Sequence, residues 1–230
     1  MDEMEMWEIN ESFCRACKDA SYGQMNLSKI RKYLEDGANP NYRTKYDMCA
    51  LDWSICCDVD GTIFNNGGLL DLLVEFGADV NTKDNCGRPL LFSTSSAEGV
   101  EAVLRHGAIA DLTDKEGNTA LFHHASEGNS EAVKLLLNHG VEVNHRNNSG
   151  NTALHWVAHQ EGDLSEIAKL LIESGAELDA KNNSGKSPVD LARERGNENT
   201  LAIIDAHYEN ALLTERFSAP VSMPSKKMKL

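Results

Sequence analysis

Five times in this chain a leucine-rich stretch of helical periodicity closes in a cassette of the form Gly-Ala-x-x-Asn. The five are GANPN at 37–41, GADVN at 77–81, GAIAD at 107–111, GVEVN at 140–144 and GAELD at 175–179. Their opening glycines, Gly37, Gly77, Gly107, Gly140 and Gly175, are 40, 30, 33 and 35 residues apart. A period in the low thirties belongs to a helical solenoid, in which each unit touches its neighbours and no single central core exists. A second register runs in step with the first. Ten residues after each of the last four cassettes opens, a glycine begins a new unit: GRPLLF from Gly87, GNTALF from Gly117, GNTALH from Gly150 and GKSPVD from Gly185.

Within a unit, a short apolar stretch (Ala120-Leu121, Ala153-Leu154) alternates with a longer one (Ala132-Val133-Leu135-Leu136, Ile167-Ala168-Leu170-Leu171). The i, i+3, i+4 spacing predicts two amphipathic helices per unit, antiparallel to one another. The cassette glycine can take a positive φ and end the second helix, and Asn, Asp and Gly in the next loop suit a β-turn. Thr119, Thr152 and Ser187 stand where an N-cap oxygen would start the first helix. One such hairpin cannot bury its own apolar face, so stacking must supply the core.

The second register resembles the Gly-x-Thr-Pro-Leu-His signature of the ankyrin repeat family, and the resemblance covers residues 12–213 in about five to six repeats. It implies an all-α solenoid of stacked antiparallel helix pairs joined by β-turn or hairpin loops. An acidic segment at 1–11 precedes the repeats, a flexible tail at 214–230 follows them, and the first and last pairs (within 11–36 and 187–213) act as caps. Departures from regularity are local. The interval from Gly37 to Gly77 is long, and CCDVDGTIFNNGG at 56–68 reads as an enlarged inter-helix loop that projects from the stack. The unit from Gly87 is about three residues short and has Pro89-Leu90 where Thr-Pro is expected. HQEGDLSE at 159–166 inserts about two residues into the turn of the unit from Gly150.

A net charge of -14 argues against direct nucleic-acid binding, which needs a basic stripe that the sequence lacks. It favours a partner with a basic surface, although surplus Asp and Glu also serve solubility. No apolar run of 18 residues and no leader pattern occur, so neither a membrane span nor standard secretion is expected, and six cysteines point to a reducing compartment. The expected location is therefore intracellular, cytoplasmic or nuclear.

No constellation for catalysis emerges. Cys14-x-x-Cys17 is half of a zinc or redox motif with no second half among Cys49, Cys56, Cys57 and Cys86. His155 and His159 are four apart but lack the intervening glutamate of a metalloprotease helix. The ankyrin resemblance implies instead that His155 bonds to a neighbouring repeat loop. His123 and His124, adjacent on a helix, point about 100° apart. No Gly-x-Ser-x-Gly or phosphate loop is present, and Asp58-Val-Asp-Gly is too short for a calcium loop. No cofactor and no metal are expected, and the chain reads as a non-enzyme.

What remains is a surface. Aligned on the first helix, Trp53, Ser93, His123 and Trp156 fall at equivalent positions, which the family resemblance places on the concave groove. Glu127, His159 and Gln160 continue that face, and the loop tips Lys115, Glu116, Asn148 and Asn183 edge it. Tryptophan suits an interface anchor because it buries much apolar area and keeps one N–H donor. The competing expectation is that either ring folds back on the next helix. Lys226, Lys227 and Lys229 resemble a minimal nuclear import signal. Asn81 and Asn144 resemble ankyrin sites of asparaginyl hydroxylation, though asparagine in such a turn more commonly stabilises it. The chain is read as an adaptor, scaffold or inhibitor, monomeric on its own, that holds another protein and touches neither membrane nor nucleic acid. The alternatives are a host-directed bacterial effector, or a metal-binding or enzymatic protein using the 56–68 loop and the histidines.

Overall fold

The computed structural model describes residues 3–21, 26–55, 67–94, 96–160 and 162–218. Eleven helices and one 3₁₀ turn make six stacked pairs among them. The pairs are α1 (Glu3–Ser21) with α2 (Leu27–Glu35), α3 (Ala50–Ser54) with α4 (Gly67–Glu75), and the 3₁₀ turn Leu90–Phe92 with α5 (Ala97–Arg105). Then come α6 (Ala120–Ser126) with α7 (Ser130–Asn138), α8 (Ala153–His159) with α9 (Ser165–Glu173), and α10 (Pro188–Arg195) with α11 (Glu198–Ser218). First members form an inner row and second members an outer row, as the packing of α6 on α8, α8 on α10, α5 on α7 and α7 on α9 shows.

Most of the apolar positions expected in the core are buried, while Leu135 and Leu170 are only partly so. Leu121, Leu136, Leu154, Ile167 and Leu171 all have essentially no exposed surface, and one hydrophobic cluster runs from Phe13 to Ile204. Each outer helix ends as its cassette requires. After α7, the amides of Gly140 and Val141 return to Leu137 O (3.0 Å) and Leu136 O (3.4 Å), with Gly140 at φ 85°. Between the cassettes and the inner helices the chain extends as short fingers, three of which close with a single antiparallel bridge: Arg43 with Cys49, Lys83 with Pro89, and Thr113 with Thr119.

Several expectations need adjustment. Residues 3–11, set apart as an acidic segment, form the first turns of α1, and α11 continues past residue 213 to Ser218. The shortened unit from Gly87 keeps its place in the stack, but Pro89 caps a single 3₁₀ turn instead of an α-helix. Gly67 and Gly68 belong to α4, and residues 56–66 of the expected loop lie outside the described residues. The inserted turn is confirmed: residues 160–164 separate α8 from α9, where 127–129 separate α6 from α7. Thr119 occupies its N-cap position without a side-chain cap bond, while Ser187 Oγ accepts from Asp190 N (3.2 Å).

Candidate functional site

Fingers and cassettes are tied to their neighbours by a ladder of asparagine amides, and that ladder shapes the concave face. At the fifth cassette position, Asn41 donates Nδ2 to Gly77 O (3.0 Å) and accepts the Asp79 amide on Oδ1 (2.8 Å). Asn81 does the same to Gly107 O (3.3 Å) and the Ile109 amide (2.8 Å), and Asn144 to Gly175 O (3.0 Å) and the Glu177 amide (2.9 Å). An amide suits this place because it offers donor and acceptor together. Asp111 can only accept, and it takes the Glu142 amide alone (3.1 Å). Asp179 ends the series by accepting from the Tyr208 hydroxyl (3.3 Å), and Asn10 of α1 begins it by accepting the Asn39 amide (2.8 Å). The two asparagines singled out for hydroxylation, Asn81 and Asn144, are thus both inter-repeat clamps.

A second ladder runs through the fingers. Asn147 Oδ1 accepts the Ser149 and Asn151 amides (both 3.0 Å) while its Nδ2 reaches Asn118 Oδ1 (2.8 Å). Asn182 repeats this with Ser184, Lys186 and Asn151. At the tips, Asn148 Nδ2 donates to Lys115 O (2.9 Å) and Asn183 Nδ2 to Asn148 O (3.0 Å). Gly117 and Gly150 make this approach feasible. Both have positive φ, 78° and 74°, and a Cβ would meet Asn148 Oδ1 at 2.6 Å and Asn183 Oδ1 at 2.5 Å. Asn148 and Asn183 are therefore both exposed and structurally committed, which sequence spacing alone does not reveal.

Between these fingers and the inner helices lies an open cleft of about 520 Å³, lined by Asp114, Lys115, Glu116, Asn118, Phe122, His123, Ser126, Asn147, Asn148, Ser149, Asn151 and Trp156. It brings together five of the residues expected on the groove: His123, Trp156, Lys115, Glu116 and Asn148. The Trp156 ring is partly buried against Phe122, ring centres 5.6 Å apart, and its indole N–H is shielded without a hydrogen-bond partner. His123 packs on Phe92 (5.6 Å), and burial lowers its pKa.

The other expected residues do not line this cleft. Trp53 of α3 is partly buried, with the Lys18 ammonium 5.5 Å above its ring. Ser93 is exposed at the end of the 3₁₀ turn, and Glu127 is exposed at the end of α6. His159 bonds to Arg195, and the Gln160 carbonyl accepts from Asn197 Nδ2 (3.2 Å) at the opposite rim. Asn183 sits one finger further on, and Lys226, Lys227 and Lys229 lie outside the described residues.

The remaining titratable groups have structural settings. His155 is buried: its Nδ1 meets the Thr152 hydroxyl (2.9 Å) and its Nε2 meets Lys186 O (3.2 Å), the neighbouring-loop bond that the family resemblance implies. His124, which the sequence did not distinguish from His123, is also buried. Its Nε2 lies 3.1 Å from Leu91 O, and burial pushes its pKa down to about 4. Burial raises the Cys14 thiol to about 12 and the Cys49 thiol to about 11, and lifts Cys17 as well, which opposes thiolate chemistry. Among the described residues no three His, Cys, Asp or Glu side chains converge as metal ligands, and no helix is long and apolar enough to cross a membrane.

One position escaped the sequence reading. Asp47 has φ 62° and occupies the finger place that Gly87, Gly117, Gly150 and Gly185 fill elsewhere. Its Oδ2 accepts the Asn85 amide (2.6 Å) and its carbonyl accepts from Arg43 (2.7 Å), so Asp47 exchanges backbone ease for a link to the next finger.

Comparison with known proteins agrees with this geometry. A family model of ankyrin repeats (3 copies) matches residues 61–147, 90–182 and 140–210. The crystal structure of EF0377, an ankyrin repeat protein, superposes with a TM-score of 0.69 at 25% sequence identity, covering 83% of this chain and 96% of that one. No curated protein matches the sequence significantly.

Proposed function

The chain belongs to the ankyrin repeat family, whose members generally serve as protein–protein interaction modules, and from that premise we propose a non-enzymatic adaptor, scaffold or inhibitor that holds a partner protein on its concave face. The observation that carries this reading is the cleft between the fingers and inner helices α6 and α8, where an aromatic floor and polar loop tips face one open space. Pockets of several hundred Å³ with an apolar base and a few placed polar groups are the usual form of a recognition site. The ladder on its rim is already assembled, so a partner meets an ordered surface and little side-chain entropy is lost on association. The acidic balance of the chain favours a partner with a basic surface.

The test is capture of partners from native extract by the intact chain, compared with two variants. Ser93→Arg places a long side chain on the concave face at an exposed position, and Trp156→Ala removes the aromatic floor. Loss of the same captured protein in both variants, with a control on the outer row such as Lys169→Ala unaffected, supports the groove. Capture that survives Ser93→Arg and Trp156→Ala but fails with an outer-row variant overturns it.

A further inference from the structure

The charged side chains around the cleft are unequally engaged. Arg88 is held by Asp84, with its Nε and Nη2 at 2.9 and 2.8 Å from Oδ2, and the Lys115 ammonium donates to the Asn85 carbonyl of the adjacent finger. Asp114, Glu116 and Glu127 are in no ion pair among the described residues. The Asp114 carboxylate accepts only from Asn118, through its backbone amide (2.8 Å) and side chain (3.1 Å), and a carboxylate has further lone pairs to offer. His123 is half-buried against Phe92, and its burial disfavours the charged imidazolium. The cleft thus sets carboxylates that are in no ion pair beside an aromatic surface, with the Arg88 and Lys115 side chains bonded to other partners.

A flat cation satisfies both elements at once. A guanidinium can stack on an indole face while its fork of N–H groups points sideways to carboxylates, which a compact ammonium cannot do equally well. We propose, resting on the concave-face reading above, that the cleft receives an arginine side chain from an extended segment of the partner, stacked against Trp156 and donating to Glu116 and Asp114. The volume of about 520 Å³ exceeds one arginine side chain and leaves room for the adjoining main chain along the fingers.

The experiment uses the full chain and blocked tripeptides, Ac-Ala-Arg-Ala-NH₂ against the same peptide with citrulline, the neutral isostere, or lysine in place of arginine. The readout is the indole N–H resonance of Trp156 in ¹⁵N-labelled protein, identified by its loss in Trp156→Phe. Saturable shifts with a millimolar dissociation constant are expected for arginine, as suits so few contacts, with citrulline at least about tenfold weaker and lysine between them. Glu116→Gln, whose side chain makes no hydrogen bond or ion pair within the described protein, should weaken the arginine peptide several-fold and leave citrulline unchanged. Equal response to arginine and citrulline, or no saturable response to about 20 mM arginine peptide, overturns the proposal. Those results leave the groove reading standing, because Ser93→Arg and Trp156→Ala test it with the whole partner. Capture that survives Ser93→Arg and Trp156→Ala but fails with an outer-row variant, alongside an intact arginine response, would sink that reading alone.

Discussion

The fingers at 114–117, 147–150 and 182–185 are joined to one another largely by neutral amides, whereas those at 44–47, 84–87 and 114–117 are joined mainly through charged side chains. In the later set the same amide bonds recur, tip asparagine to the preceding finger's carbonyl and base asparagine to the preceding asparagine, with Arg146 to Lys181 O as a charged link beside them. In the earlier set Asp47 accepts the Asn85 amide, Lys83 donates to Thr113 O (2.6 Å) and Lys115 to Asn85 O. The packing below differs in parallel. Neither α3 with the 3₁₀ turn nor α4 with α5 packs as extensively as the later neighbours, and the His106–Asp71 contact (2.7 Å) spans that junction on the outer row. A ladder made largely of neutral amides is less sensitive to ionic strength than a junction carried mainly by charged links. The cleft sits on the more regular part, where the surface is held most firmly.

The largest test of this contrast removes a neighbour. Deleting 187–218 takes α10 and α11 away from α8 and α9 and uncovers their packed faces, among them buried Ala158, which clusters with Leu191 and Ala192. Aggregation or early melting is the expected result, seen by size-exclusion chromatography and circular dichroism. A truncated chain that remains monomeric with an unchanged melting curve would show that the last unit is no cap.

Acid should strike the later half through its buried histidines. His124 has its folded-state pKa lowered to about 4 from 6.5, so between those values the unfolded chain binds a proton that the folded chain refuses. Stability from this group is complete above about pH 6.5 and lost progressively as pH falls toward 4, by about 3 kcal/mol. Burial lowers His155 and His123 in the same direction. Urea titrations at pH 7 and pH 4.5 measure the loss, and His124→Gln, which retains a donor for Leu91 O, should shrink it. An equal loss in His124→Gln would remove the histidine from the explanation.

Asn147→Ala should cost about 2–3 kcal/mol, since it strips acceptors from two amides and leaves Asn118 without its donor. Thr44 stands at the corresponding base of the first finger with its buried hydroxyl unpartnered, and Thr44→Val should be neutral or slightly stabilising. If both substitutions cost the same, the difference between the two sets of fingers is not energetic.

Sequence reading reached the helix pairs, the cassette glycines and the inserted turn, because periodicity and glycine placement are local properties of one unit. It missed whatever depends on where the next unit lies. The double bonds of Asn41, Asn81 and Asn144 span some 26–38 residues, and nothing within one cassette distinguishes a clamp from a turn residue. Asp47 escaped because the left-handed finger position normally announces itself as glycine. Position on the inner helices pointed to His123 and Trp156, and both side chains line the cleft. Trp53 fell away from it, because the cleft is bounded by particular fingers and not by the row as a whole.

The smallest predicted effect has the opposite sign. Asp111 holds the Glu142 amide with one oxygen, and at the equivalent positions Asn41, Asn81 and Asn144 also present an N–H to the next cassette's carbonyl, a donor that Asp111 lacks. Asp111→Asn should supply that donor to Gly140 O, as the asparagines supply it to Gly77, Gly107 and Gly175. A gain of about 0.5–1.5 kcal/mol is expected, the net value of one added hydrogen bond, read as a higher urea midpoint with unchanged slope. The reverse change, Asn144→Asp, should lose the Gly175 O bond and lower the midpoint by a similar amount. If Asp111→Asn is neutral while Asn144→Asp is destabilising, the geometry at 111 does not match its counterparts, and the ladder is interrupted where the charged fingers give way to the amide ones.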